Sequence, residues 1–252
     1  MSYRKFIIVS DERTGSNLLQ MLLTSHAEIV CRGELLNPSD EHRGSDFSNS
    51  NPILGPDDDP TIYLQNTLYA HVPESVRAVG FRLQYSHARQ GAWKKARDEI
   101  VIDKDIRIVH LTRENLLDRY LSYCLAMRNG RWIETHESPP SPDEMISLDL
   151  EDCVKDIARC EWYQDETEEI FSSHSRIHLT YENLCANTEL ETRRVLQFLG
   201  VEYQPLQSPT KKQRRKKKRE MIQNFEDLKS SFNRGIAKGW SNPRWCSFFD
   251  EN

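Results

Sequence analysis

Apolar residues arrive in short blocks bounded by polar turns. Residues 5–10 (Lys5-Phe-Ile-Ile-Val-Ser10) form an apolar run of strand length, and residues 17–25 place Leu18, Leu19, Met21, Leu22 and Leu23 on one helical face. Further strands are predicted at 29–31, 75–81, 106–111 and 176–180, with helices between them. A long acidic helix is expected over 149–171, and a shorter one over 188–199 that Gly200 closes. Strands alternating with helices predict an α/β fold, a single P-loop-like domain over residues 1–252 with a central parallel β-sheet flanked by helices. In such sheets ligands bind beyond the carboxyl ends of the strands, where both Arg13 and Arg113 fall.

Two stretches break the pattern. Residues 37–60, rich in Asn, Ser, Asp, Gly and Pro, read as a mobile, substrate-facing loop insertion, and residues 129–148, with Gly130, Trp132 and the cluster Ser138-Pro-Pro-Ser-Pro142, as a second rim. The apolar spacing of Met221, Ile222, Phe225 and Leu228 predicts a helix over 221–228 that docks the C-terminal segment back on the domain.

The net charge of −5 removes any global electrostatic case for nucleic acid, although 211–219 carries eight basic residues in nine. Six cysteines without a C-x-x-C pair argue against a zinc site and a disulfide framework and for free thiols in a reducing compartment. With no run of eighteen apolar residues, the chain is expected to be soluble and cytoplasmic.

The chemistry concentrates at the turn between the first strand and the first helix. In Asp11-Glu12-Arg13-Thr14-Gly15-Ser16-Asn17 the small residues let backbone N–H groups approach an anion, the helix points its positive end at it, and Arg13 adds a fixed charge. The Gly-Lys pair of a magnesium-nucleotide loop is missing, so a nucleotide phosphate or sulfate fits better than magnesium-bound ATP. After the strand at 106–111, Arg113 and, about two turns into the next helix, Ser122 suit a second phosphate.

The loop R-T-G-S-N-L-L and the pattern T-R-x-x-L-x-R-x-x-S at 112–122 together resemble the sulfotransferases that use 3′-phosphoadenosine 5′-phosphosulfate, in particular the bacterial and Golgi-type carbohydrate branch. Gly33-Glu34, Gly80-Phe-Arg82 and Tyr181-Glu-Asn-Leu184 with Phe198-Leu-Gly200 match further blocks of that family in order. The resemblance implies that Arg13, Thr14, Gly15, Ser16 and Asn17 bind the 5′-phosphosulfate, that Arg113 and Ser122 take the 3′-phosphate with Arg119 as a possible sharer, and that no metal is needed. By the same analogy Tyr181 reaches the adenine, and Lys211 and Lys212 contact the cofactor. Arg13 and the loop would stabilise the leaving charge, Glu34 would take the proton of an acceptor hydroxyl on a carbohydrate or glycolipid, and His87 is the rival base. The nine-residue step from Arg113 to Ser122 and Arg13 in place of Lys depart from the cytosolic small-molecule enzymes.

Plainer readings stand beside these: Ser16 as a helix cap, Glu34 as a surface carboxylate, His87 as a structural histidine, Arg82 as the partner of a nearby acid, and 211–219 as a solvated helix face. At the level of function the alternatives are a small-molecule or nucleotide kinase of related fold, and a non-catalytic protein that binds nucleic acid or a membrane surface through 211–219.

Overall fold

The computed structural model describes residues 3–37, 59–65, 72–91, 93–135, 137, 144–210 and 216–250. In chain order the elements are β1 (Arg4–Ser10), α1 (Ser16–Thr24), β2 (Ile29–Arg32), α2 (Pro60–Tyr63), β3 (Ala78–Gln84), α3 (Lys94–Ile102), β4 (Arg107–Thr112), α4 (Leu116–Asn129), α5 (Leu150–Ile170), β5 (Arg176–Thr180), α6 (Tyr181–Ala186), α7 (Thr188–Leu199), α8 (Lys218–Met221), α9 (Phe225–Ala237) and α10 (Pro243–Ser247). They fall into two compact units, residues 1–112 with 165–208, and residues 113–164 with 209–252.

The first unit holds a five-stranded sheet in the order β2-β3-β1-β4-β5, with every neighbouring pair parallel. The α/β expectation is met. The run Phe6-Ile7-Ile8 becomes the central strand and is wholly buried, as a parallel strand covered on both faces must be. Leu19, Leu22 and Leu23 of α1 pack with Phe6, Ile8, Val109, Leu111, Val195, Leu196 and Leu199 in one core. Gly80 pairs in register with Phe6, and a Cβ there would lie 2.4 Å from the Phe6 carbonyl oxygen and 2.6 Å from its ring, so only glycine lets β1 and β3 meet at this point.

Most boundaries expected from sequence hold to within a residue. β3 does not: it runs over 78–84 rather than 75–81. Polar Arg82 and Gln84 look like the end of a strand, yet both are buried in it and hydrogen-bonded, so the ladder continues through them.

The second unit is helical, built around Leu117, Leu121, Cys153, Ile157, Cys160, Phe225, Leu228 and Phe232. The helix expected over 221–228 is broken. Ile222 bridges to Ile146, and the Asn224 side chain accepts from the Leu148 N–H at 3.0 Å and donates to its carbonyl at 2.8 Å, which ends α8 and starts α9 anew. All six cysteines are free thiols. Among the described residues no helix is long and apolar enough to cross a membrane.

Candidate active site

β1 delivers the chain into a tight turn at 11–15. Asp11 and Thr14 are fully buried, and the Thr14 hydroxyl donates to the Asp11 carbonyl at 2.8 Å, folding the turn on itself. Arg13 (φ 64°) and Gly15 (φ 88°) both occupy the left-handed region, which next to a right-handed residue can turn successive N–H groups toward one anion. Gly15 is the N-cap of α1, so Ser16 is its first helical residue rather than its cap, and the N-cap position offers no side chain to the helix's leading N–H groups. Tyr181, the first residue of α6, lies against Gly15: a Cβ there would sit 2.6 Å from the Tyr181 Cδ2. The structure therefore brings Arg13, Thr14, Gly15, Ser16, Asn17 and Tyr181 to one place in this unit.

Glu34 follows β2, and its carboxylate is 14% exposed. Oε1 accepts from Gln84 Nε2 at 2.5 Å and faces Arg82 Nη1 at 3.1 Å, while Oε2 accepts from Asn37 Nδ2 at 2.7 Å and lies 3.8 Å from His87 Nε2. The two candidate bases thus share one cluster. Burial pushes the His87 pKa from 6.5 down to about 4; Glu34 opposes this, and Arg82 and Arg97 add to it. His87 is consequently neutral at pH 7 and a weak proton acceptor. Arg82 Nη1 also reaches Ser16 Oγ at 3.4 Å, so one buried guanidinium touches both the carboxylate and the first residue of α1. Arg82 Nε and His87 Nδ1 are buried with no hydrogen-bond partner among the described residues.

Residues 113–122 belong to the second unit. Arg113 is 7% exposed and precedes α4, whose N-cap Asn115 accepts from the Asp118 N–H at 2.9 Å; Ser122 is half-buried on α4. Arg119 is fully buried and ion-paired with Asp156, which also binds Arg159 at 3.0 Å, so its charge is answered within the unit. Lys211 and Lys212 lie outside the described residues. At the end of the basic run Lys218 departs from the reading as a solvated face, being buried and donating to the Asp250 carbonyl, whereas Arg219 is exposed and pairs with Glu226 at 2.8 Å.

Sequence reasoning missed Gln84 and Asn37, and it assigned Arg82 only to an unnamed acid. The available signal was the row Gly80, Arg82, Gln84: non-apolar residues at every second position of a strand whose other residues are hydrophobic.

A family model described as "Sulfotransferase domain" matches residues 3–244. The chain is 25% identical over 201 residues to Nodulation protein H of Rhizobium tropici, covering 78% of this chain and 75% of that one. It is 23% identical over 238 residues to Nodulation protein H of Rhizobium meliloti, covering 92% of each. Among solved structures, a sulfotransferase from Alicyclobacillus acidocaldarius superposes with a TM-score of 0.52 at 16% identity, over 100% of this chain and 98% of that one, a likeness of fold. A tight turn between the first strand and the first helix, a parallel sheet that supports it and a domain match over nearly the whole length lead to one conclusion: this chain belongs to the sulfotransferase family.

Proposed function

We propose that the protein transfers a sulfuryl group from 3′-phosphoadenosine 5′-phosphosulfate to a hydroxyl of a carbohydrate or glycolipid acceptor. The observation that carries this reading is Arg82, which joins the start of α1 to the part-buried carboxylate of Glu34. An anion cradle and a proton acceptor tied to one side chain suit a reaction in which a phosphosulfate and a hydroxyl must meet in line.

In this reading the N–H groups of the 11–17 segment and the Arg13 guanidinium hold the phosphosulfate and answer the charge that grows on the bridging oxygen as the S–O bond breaks. Tyr181 closes the cradle beside the adenosine side, and Arg113 and Ser122 take the 3′-phosphate, with Lys211 and Lys212 as further contacts. The acceptor oxygen attacks sulfur while Glu34 takes its proton. Glu34 is preferred to His87 because its carboxylate is fixed in place by two amide donors. A carbohydrate-type acceptor follows from the resemblance of the sequence motifs to the bacterial and Golgi-type carbohydrate branch, and six cysteines outside any disulfide suit a reducing cytoplasm.

The test is calorimetric titration with 3′-phosphoadenosine 5′-phosphate in the absence of magnesium, followed by a screen of sugar and glycolipid acceptors with ³⁵S-labelled donor. Micromolar binding is expected, retained in Glu34→Gln but weakened in Arg13→Ala, with transfer reduced about 10²–10³-fold by either change. Absence of nucleotide binding, or full transfer by Glu34→Gln, overturns the assignment.

A further inference from the structure

Within the first unit, two buried polar groups outside the proposed reaction and one part-exposed carboxylate form a continuous chain. Tyr85 directly follows β3 and is 1% exposed; its hydroxyl lies 2.7 Å from Nε2 of His110, a β4 residue that is 3% exposed. The Nδ1 of His110 lies 2.6 Å from Oε1 of Glu168 on α5. A carboxylate at Nδ1 assigns the proton to that nitrogen, so Nε2 accepts and the Tyr85 hydroxyl donates. Burial lowers the His110 pKa, against the pull of Glu168, in keeping with a neutral ring. His178, its ring centroid 5.5 Å from that of His110, accounts for its own Nε2 with Thr112 at 2.9 Å, and Arg176 pairs with the far oxygen of Glu168 at 2.7 Å.

A buried phenol and imidazole at this place cost more than two apolar side chains would, and the return on such a network, anchored on the Glu168 carboxylate, is direction. What it directs is the turn after β3. Tyr85 stands between Gln84, which donates to Glu34, and His87, which faces the other oxygen of Glu34. Its backbone is gripped as well: the Tyr85 N–H donates to the Ser10 carbonyl at 2.9 Å, and Arg97 Nη1 donates to the carbonyls of Tyr85 and His87 at 3.2 and 3.0 Å. Arg89 donates to the Tyr85 carbonyl and is itself bound to Glu166, three residues' length of α5 thereby holding the turn through Glu166 and Glu168. The turn needs holding. Ala88, the residue after His87, has φ 56°, a left-handed form that costs a non-glycine residue about 1 kcal/mol or more and persists where the surroundings dictate it.

We propose that the Glu168–His110–Tyr85 chain is a positioning device that sets Gln84 and His87 against Glu34. The inference rests on the reading of Glu34 as the base, and none of its three members touches substrate. Tyr85→Phe keeps the ring and removes one donor; Glu168→Gln keeps an acceptor for Nδ1, whereas Glu168→Ala does not.

The experiment is ¹⁵N NMR of histidine-labelled full-length protein, reading the ring nitrogens of His87 at pH 7 and their titration, with 3′-phosphoadenosine 5′-phosphate affinity measured alongside. In Tyr85→Phe and Glu168→Ala the His87 ring signals move and its midpoint rises from about 4 toward 6.5 by about half a pH unit or more, as the turn loosens and water enters, while Glu168→Gln stays close to wild type and nucleotide affinity holds within about twofold. His87 signals unchanged in both Tyr85→Phe and Glu168→Ala overturn the proposal. So does an equal loss of nucleotide affinity, which marks a general structural role. Should Glu34→Gln retain transfer, the base assignment falls on that result alone, whatever the His87 signals do.

Discussion

Gly15→Ala tests the anion cradle most directly, because it adds one methyl group at a point where two separate penalties can be measured. The first is conformational: at φ 88° and ψ 14° an alanine is held in the left-handed region, at a cost of about 1–2 kcal/mol. The second is steric: the new Cβ falls 2.6 Å from the Tyr181 Cδ2 and 3.2 Å from its Cε2, so the ring has to leave its place over the turn. Displacing the ring removes one wall of the cradle, and relieving the backbone instead turns the N–H groups of the 11–15 segment away from a common point. Either response weakens anion binding. The expected result is a stability loss of about 1–3 kcal/mol in urea unfolding and at least about tenfold weaker binding of 3′-phosphoadenosine 5′-phosphate. A double-mutant cycle separates the parts. In a Tyr181→Ala background only the backbone penalty remains, so the stability cost of Gly15→Ala falls by about 0.5–2 kcal/mol. Nucleotide affinity equal to wild type in Gly15→Ala, or an identical stability cost in both backgrounds, refutes the geometry on which the cradle is argued.

Gly80→Ala drives a methyl into the Phe6 backbone oxygen at 2.4 Å, and because backbone cannot step aside the cost exceeds about 3 kcal/mol, read as loss of soluble protein or a collapsed urea midpoint that trimming Phe6 to Leu fails to restore. Stability also carries a pH signature from His87: with its pKa lowered in the folded state, the unfolded chain binds the extra proton, so the contribution is fully present above about pH 6.5 and is lost as pH falls toward 4. At 1.36 kcal/mol per pH unit the drop from 6.5 to about 4 amounts to about 3 kcal/mol at most, and His87→Gln flattens the slope of unfolding free energy between pH 6.5 and 4; an unchanged slope contradicts the buried neutral ring. In the second unit, Asp156→Asn leaves the fully buried Arg119 guanidinium without its counter-charge and costs about 3–5 kcal/mol, while Arg119→Met with Asp156→Leu recovers most of it in the same denaturation assay.

Where hydrophobic pattern and structure coincide, a single local cause suffices. The apolar run at 5–10 is a fully covered central strand, and Leu19, Leu22 and Leu23 recur at helical spacing because one face of α1 lies on the core. The turn at the head of α1 was legible for a similar reason, since a run of small polar residues between an apolar strand and an apolar helical face leaves few physical options. Most of the failures have non-local causes. The helix expected over 221–228 breaks because Asn224 binds Leu148, a residue remote in sequence that no local window contains. Gln84 was invisible as a functional residue because only the fold brings it to the carboxylate of Glu34, whereas Asn37, a close sequence neighbour of Glu34, was missed because an amide advertises nothing by itself.

The misjudged end of β3 and the missed amide share one cause. Gly80, Arg82 and Gln84 occupy alternate positions and so share a face of a strand in which every residue is buried. Polar side chains in such a row are costly unless each is satisfied, and here Arg82 reaches Glu34 and Ser16 while Gln84 reaches Glu34. An apolar replacement at 82 or 84 would therefore improve the burial balance of the strand and remove what fixes the carboxylate, a conflict between stability and function that is expected where a fold carries chemistry. A period-two row of polar residues within a buried parallel strand is thus better read as the floor of a site than as the place where the strand stops. Applied to 78–84, that rule places the β3 end at Gln84 and points to Arg82 and Gln84 as holders of an acid before any coordinate is seen.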